Sequence, residues 1–287
     1  MKPIRSIGVV GAGTMGMGIA QVCGTYGFDV MLFDVNPDQL RRALATIAGG
    51  LLIQIEKGKL SIESKKGIMS RIKPATDLSE VHADLVIEAA VERLEVKQEL
   101  FAKLEQINDG HAILASNTSS ISISQIARDL HDPSSCVGLH FFNPAERMKL
   151  VEIISGDATR PTIREALRSF ALVIGKTPVM AKDSPGFIVN RVARHYYVES
   201  LKLLEESAAD VQTVDALLRS AGFKMGPFEL MDLIGVDTNL SVTTSIYDSF
   251  GRAHRFTPSK IQQRLVMNGH YGRKTGRGFY EYDEKGI

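Results

Sequence analysis

The sequence has only two cysteines, no excess of charge of either sign and no apolar run near the ~18 residues of a membrane span. Each shortage excludes something. Cys23 and Cys136 both sit in apolar runs, which suits buried thiols in a reducing compartment and argues against a disulfide framework. CxxC and HExxH are absent, so no metal site is expected. Lys plus Arg number 34 against 33 for Asp plus Glu, a net charge of +1 that gives no electrostatic reason to expect nucleic acid or an anionic membrane as partner. The opening MKPIRSIGVVGAG breaks its apolar run with glycines and has no signal-peptide core or cleavage site, so the expected location is cytoplasmic. What is present is 44% hydrophobic and 23% charged residues, the balance of a globular chain able to bury a sizeable core. At 287 residues it exceeds the ~100–200 of a usual domain, so one large domain or two unequal ones are expected.

Along the first 180 or so residues, short β-branched runs alternate with longer helical patterns, the sequence form of repeated βαβ units and a mainly parallel sheet. The candidate strands are SIGVVG, DVMLFDV, ADLVIEA, AILAS, CVGLHFF, LVEII and TPVMA. The spacing of PDQLRRALATIAGGLLIQIEKGKL predicts a helix over 37–60 that projects beyond the sheet, although Gly49 and Gly50 each weaken it by ~1 kcal/mol. After Pro185-Gly186 the strand patterns stop and helical periodicity takes over. The expected organisation is therefore α/β: a Rossmann-type doubly wound domain over 1–184, then an all-α domain over 185–287.

GAGTMG follows the first strand and opens a helix, so GxGxxG stands in strand-turn-helix context. Gly11 permits the tight turn, Gly13 admits a pyrophosphate to the backbone, and Gly16 lets helix and strand pack closely. Thr14 and Met15, between the last two glycines, belong to the same cofactor-binding turn; a glycine turn without a ligand is the plainer alternative. Asp34 ends the next strand, where a carboxylate accepts hydrogen bonds from ribose hydroxyls and repels a 2′-phosphate, favouring NAD over NADP. Arg41 and Arg42 would oppose that preference if they reached back, but their distance in sequence makes them helix surface.

GLHFFNPAERMKLVEII places His140 in one apolar run and Glu152 in the next. Oxidising a secondary alcohol needs a base within hydrogen-bond reach of the hydroxyl, and imidazole, with an unperturbed pKa of ~6.5, can take and return that proton. Glu152 can accept the other ring N–H, fix the tautomer and stabilise the imidazolium. Alone, His140 reads as a satisfied core histidine; beside Glu152, Asn143 and a dinucleotide turn it reads as half of a catalytic dyad.

Several segments together resemble the 3-hydroxyacyl-CoA dehydrogenases: GAGTMG, DLVIEAAVE, SNTSS, HFFNP followed by MKLVE, DSPGFIVNR, GPFELMDLIGVD and GRKTGRGFY. The match runs over nearly the whole chain and is far more specific than the glycine turn. The resemblance implies an NAD-binding domain, a helical domain through which homodimers form, and acyl-CoA as substrate. It also implies roles for single residues. Ser119 would hydrogen-bond the substrate 3-oxygen and line the cofactor site, whereas the residues alone allow Ser119 or Ser120 to be a helix N-cap. Asn190 would approach from the second domain, its alternative being a polar residue on an interdomain helix. Asn143 would lie by the nicotinamide, or simply shape the turn before Pro144. Glu92 and Lys97 would lie near the nicotinamide ribose; on their own they read as surface charges. Lys57 and Lys59 are candidates for CoA phosphate contacts, or for a solvated helix end.

One stretch departs from the family wording: after HFFNP, a small apolar residue, Pro and an apolar residue are usual, and here stand Ala145-Glu146-Arg147. The pair is expected to face water with Glu146 neutralising Arg147; if Arg147 instead reaches the acyl tail, a dicarboxylic substrate such as a 3-hydroxyadipyl ester is expected. Two other readings compete. A 3-hydroxyacid dehydrogenase shares the glycine turn but relies on a lysine in its second domain, which the His140 and Glu152 spacing opposes. A non-catalytic dinucleotide-binding protein would not need His140, Glu152, Ser119 and Asn190 together.

Overall fold

The computed structural model describes residues 3–283, which divide into two compact units, Met1–Ser184 and Pro185–Ile287. Unit one is built on an eight-stranded sheet of order β3-β2-β1-β4-β5-β6-β7-β8. Its strands are β1 (Ser6–Val10), β2 (Asp29–Phe33), β3 (Ile72–Ala75), β4 (Leu85–Glu88), β5 (Ile113–Ser116), β6 (Cys136–Phe141), β7 (Leu150–Ser155) and β8 (Thr177–Lys182). All neighbours run parallel except β6 and β7. Strand order reverses between β1 and β4, so a crevice opens there at the strands' carboxyl ends. Register brings those ends level: Val10 stands beside Phe33 and Glu88, and Glu88 beside Ser116.

The antiparallel step has a simple cause. The connection from Phe142 to Lys149 is shorter than the dozen or so residues a parallel crossover needs, so β7 must return alongside β6. Elsewhere helices make the crossovers: α1 (Thr14–Thr25), α2 (Pro37–Glu56), α3 (Ile62–Arg71), α4 (Leu94–Ile107), α5 (Ile123–Ile126) and α6 (Pro161–Val173).

In α2, Leu40, Ala43, Ile47 and Leu51 form the buried stripe, the Asn36 side chain caps the Asp38 and Gln39 amides, and Pro37 occupies the first turn. It passes through Gly49 and Gly50 but stops at Glu56, short of the expected Leu60. Gly58 takes a left-handed φ of 66°, and the Gly58 and Lys59 amides turn back onto the Ile55 and Gln54 carbonyls at 2.8 and 2.9 Å. Strand β3 was not among the expected strands. It is short, carries Pro74 and has β2 as its one neighbour, an edge position where a missing N–H is tolerated.

Unit two is helical, with α7 (Val189–Glu205), α8 (Val211–Ser220), α9 (Pro227–Ile234), α10 (Val236–Ser249) and α11 (Lys260–Met267), besides two isolated bridges at Gly272–Arg277 and Arg277–Glu281. Tyr197, Leu201, Val214, Phe228 and Met231 form its core. Two buried carboxylates tie the C-terminal GFY segment to it. Asp215 accepts the Phe228 and Glu229 amides at the start of α9 and the Tyr280 hydroxyl; Asp232 accepts the Phe279 and Tyr280 amides and the Tyr282 hydroxyl. Burial pushes both carboxyls above the usual range, and the donated bonds oppose that rise. Among the described residues no helix is long and apolar enough to cross a membrane.

Asp232→Ala leaves two amides and a phenol without their acceptor, so the expected loss is about 2–4 kcal/mol of unfolding free energy. Urea denaturation followed by circular dichroism measures it. A loss below about 0.5 kcal/mol, within the range of ordinary surface substitutions, would mean that ring packing alone holds the segment.

Candidate active site

The crevice begins at the glycine turn. Gly11 has φ 102° and lies so close to the next loop that a Cβ would stand 2.5 Å from the Ala89 carbonyl oxygen. At Gly16 a Cβ would collide with the Gly11 carbonyl, so α1 packs against the turn only without a side chain there. Nothing lies within 4 Å of a Cβ built on Gly13. Gly13 is also the N-cap of α1 and offers no side-chain cap, so the first-turn amides of Thr14, Met15 and Gly16 have no side chain competing with a phosphate. Asp34 braces this turn, its two oxygens accepting the Ala12 amide at 2.7 Å and the Asn36 amide at 2.9 Å. A cleft of about 780 Å³, lined in part by Gly11, Gly13, Asp34, Val35, Ala90 and Leu100, opens above it, a size within the ~300–1,000 Å³ of cofactor pockets. Open backbone, uncapped amides and a half-buried carboxylate at one cleft fit a dinucleotide. Arg41 is engaged with Asp38, and Arg42 donates to Gln39 at 3.1 Å, both on the exposed face of α2.

The next two loops carry a charge network that overturns the surface reading of Lys97. Lys97 is 1% exposed. Its ammonium stands 2.6 Å from Glu88 and 3.2 Å from Glu92. Glu92 accepts the Thr118 hydroxyl, the Ser119 amide at 3.1 Å and the Ser120 hydroxyl. Burial raises the Glu92 carboxyl, but Lys97, Thr118 and Ser119 outweigh it and hold the group below the usual carboxylate range. The N-cap of α5 is neither Ser119 nor Ser120 but Ser122, which accepts the Gln125 amide and donates to Asp183. The Ser119 turn is instead held by Thr118, whose hydroxyl accepts the Ser120 and Ile121 amides.

His140 and Glu152 meet across the one antiparallel pair. They are directly opposed in register, hence on the same face, and Nδ1 stands 2.8 Å from a Glu152 oxygen. Glu152 is fully buried and His140 is 6% exposed, with the Phe142 ring 4.5 Å away. An ionised carboxylate only accepts, so Nδ1 carries the hydrogen and Nε2 is the basic nitrogen. Asn143 precedes Pro144 through a cis peptide in the connecting turn, whose Pro144 carbonyl accepts the Arg147 and Met148 amides. Buried Lys176 pins the same turn by donating to the Ala145 and Met148 carbonyls. Burial lowers its pKa, with Glu146 opposing.

Glu146 therefore faces Lys176 and α1, where its carboxylate lies 3.3 Å from the Cβ position of Gly18. The expected pairing of Glu146 with Arg147 is not formed, and exposed Arg147 has no carboxylate within ion-pair distance among the described residues. Lys57 and Lys59 are exposed at the end of α2. Asn190 lies in the first turn of α7 in unit two, its carbonyl accepting Arg194 Nε at 3.2 Å. Sequence reasoning missed Glu88, Ser116 and Lys176. The signal for Glu88 was like that for Glu152, an acid in an apolar run, here at the end of LVIE.

A phosphate-ready glycine turn at the switch point, with a carboxylate-oriented histidine two strands beyond β4, defines the class as a dinucleotide-dependent oxidoreductase. Comparison with known proteins narrows it. The family model for the 3-hydroxyacyl-CoA dehydrogenase NAD binding domain matches residues 6–184, and that for the family's C-terminal domain matches 186–282. A 3-hydroxyadipyl-CoA dehydrogenase of Escherichia coli is 47% identical over 98% of this chain, which spans only 60% of that relative's length. A 3-hydroxybutyryl-CoA dehydrogenase of Bradyrhizobium diazoefficiens is 41% identical over 97% of this chain and 96% of its own. The crystal structure of an (S)-3-hydroxybutyryl-CoA dehydrogenase from Ralstonia eutropha superposes with a TM-score of 0.94 at 37% identity, covering 98% of this chain and all of that one. The chain belongs to the 3-hydroxyacyl-CoA dehydrogenase family, whose cofactor is NAD.

Asp34→Gly removes the brace on Ala12 together with the carboxylate expected to meet the ribose, so NAD affinity is expected to fall at least tenfold and the NAD/NADP preference to narrow. Calorimetric titration with both cofactors reads this, and an unchanged preference would show that Asp34 does not face the ribose.

Proposed function

We propose that the chain catalyses the reversible NAD-dependent oxidation of (S)-3-hydroxyacyl-CoA to 3-oxoacyl-CoA, with short-chain esters such as 3-hydroxybutyryl-CoA as substrates. The observation that carries the proposal is the 2.8 Å contact between His140 Nδ1 and a fully buried Glu152. The bound NAD supplies the hydride acceptor. His140 takes the hydroxyl proton at Nε2 as the C–O bond becomes a carbonyl, and returns it in the reverse direction. Glu152 keeps the ring in the required tautomer and stabilises the imidazolium. Ser119 and Asn190 are the polar side chains that serve the same substrate. The glycine turn from Gly11 to Gly16, with Asp34, Glu92, Lys97 and Asn143, holds the cofactor. Lys57 contributes to CoA binding as a point charge.

The wider setting belongs to the same reading. The chain forms a homodimer through its helical unit, supported by the exposed apolar side chains of Val192, Leu217 and Met267. It works in the cytoplasm, supported by two buried thiols, that of Cys23 pushed up to about 12 and that of Cys136 also raised, chiefly by burial. A second substrate reading, a dicarboxylic 3-hydroxyadipyl ester, is favoured by the exposed guanidinium of Arg147, which has no carboxylate partner among the described residues.

His140→Gln is expected to lower turnover of 3-hydroxybutyryl-CoA by at least two orders of magnitude while NAD affinity stays within about threefold, because the base acts on substrate oxygen and not on the cofactor. Near-normal turnover in a stopped-flow assay would remove His140 from the mechanism; NAD binding without turnover on any acyl-CoA ester in the unaltered protein would favour a non-catalytic role.

Arg147→Ala is expected to leave the kcat/KM ratio for 3-hydroxyadipyl-CoA over 3-hydroxyhexanoyl-CoA within a few-fold. A tenfold loss confined to the dicarboxylic ester, about 1.4 kcal/mol of transition-state binding, establishes the second reading in place of the first.

A further inference from the structure

Glu88 is fully buried at the carboxyl end of β4, and the proton transfer makes no use of it. One oxygen accepts Lys97 Nζ at 2.6 Å and the Ala90 amide at 2.7 Å; the other accepts the Ser116 hydroxyl at 2.6 Å. Lys97 continues to Glu92 at 3.2 Å, Glu92 to the Thr118 hydroxyl, and the Thr118 amide donates to the Ser116 oxygen at 3.2 Å. These contacts close a ring that ties the loop after β4 to the loop after β5. Two carboxylates and one ammonium give it a formal charge of minus one. Bracing two loops needs no such excess, because Lys97 and the buried Glu88 alone form a neutral brace, to which the partly exposed Glu92 adds a further negative charge.

We infer that the ring matches the charge of the oxidised nicotinamide, with Glu88 as its buried positioning residue. The inference rests on the dehydrogenase reading for the place of the nicotinamide. Hydride transfer brings the nicotinamide to within about 3.5 Å of the alcohol carbon, whose oxygen lies within reach of His140. The Ser119 turn that Glu92 holds follows β5, the strand that pairs with β6 and its His140, so the ring stands at the carboxyl ends of the strands beside the one that carries the base. The Asn117 side chain, accepting the Phe141 amide at 2.8 Å while its own amide donates to the Glu88 carbonyl, joins the ring to the end of the strand that carries His140. The nicotinamide ring is a cation in NAD+ and neutral in NADH. Excess negative charge beside it strengthens binding of the oxidised form alone.

The test titrates the purified protein and its Glu88→Gln variant with NAD+ and with NADH, at fixed ionic strength and without acyl-CoA. The carboxamide keeps an acceptor for Ala90 and Lys97 but brings the ring to neutrality. The NAD+ dissociation constant is expected to rise at least about fivefold more than that for NADH. Ser116→Ala loosens the ring without altering its charge, so it is expected to leave the ratio of the two constants unchanged. Glu92→Gln makes the same charge change at a partly exposed position and is expected to shift the ratio as Glu88→Gln does, which keeps the test open should Glu88→Gln fail to fold. Equal weakening of both cofactors, or an unchanged ratio in the Gln variants, overturns the inference. Cofactor binding with no turnover of any 3-hydroxyacyl-CoA overturns the dehydrogenase reading instead, an outcome the binding ratio tells apart.

Discussion

The antiparallel turn-back of β7 onto β6 is the constraint on which the His140–Glu152 contact depends. Directly opposed residues of an antiparallel pair share a face with their Cβ atoms roughly 4.5–5.5 Å apart, so His140 and Glu152 need no loop to bring them together. The sheet has already fixed their separation. A slip of one residue would put the carboxylate on the opposite face. Register is held against such a slip by Leu139, Phe141, Val151 and Ile153, all buried, and by Lys176, which ties both ends of the connecting turn. The dyad is thus built into the most cooperative part of the fold, and its geometry is as firm as the core.

The crest of β4 and β5 solves a different problem. Glu88 and Lys97 are held out of water, with Glu92 at the rim, and hydrophobic side chains of similar volume would often match or exceed a buried ion pair in stability. Its stability contribution is therefore a poor explanation for its presence. What apolar residues cannot supply is direction: Glu88 aims the Ala90 amide at the edge of the cleft, and Glu92 aims the Ser119 amide in the neighbouring loop. In this chain buried charge is a positioning device, concentrated at the strands' carboxyl ends.

The doubly wound unit, the helical unit and the His140 and Glu152 pair were legible because each rests on a periodicity or on a polar residue breaking an apolar run. The alternation of period-two and period-3.6 segments marks the change of architecture near Pro185. What was illegible has physical reasons as well. Strand β3 hid because Pro74 demotes a run from strand to loop in any local reading, and only its place at the sheet edge makes it tolerable. Lys97 looked like one of many charges on a Glu/Lys-rich helix, since burial depends on which helical face meets the sheet and on a partner, Glu88, nine positions away. Lys176 and the Ala145–Met148 turn are farther apart still, and their contact follows from the parallel pairing of β7 with β8 rather than from any local pattern.

The same distance effect explains the departure at Ala145-Glu146-Arg147. Read in one dimension, adjacent opposite charges neutralise each other. In three dimensions neighbours on a turn can point apart, and the Glu146 carboxylate lies on the side of α1 and Lys176, near enough to oppose the fall in the lysine's pKa. Lys176 is desolvated by its place beneath the turn, and a carboxylate nearby offsets part of that cost, whereas pairing with an exposed guanidinium would gain at most about 1 kcal/mol. Glu146 and Arg147 thus both stand exposed on the turn that joins β6 and β7 without pairing to each other, so among the described residues the arginine keeps its charge open to water while the turn itself is held from beneath by Lys176.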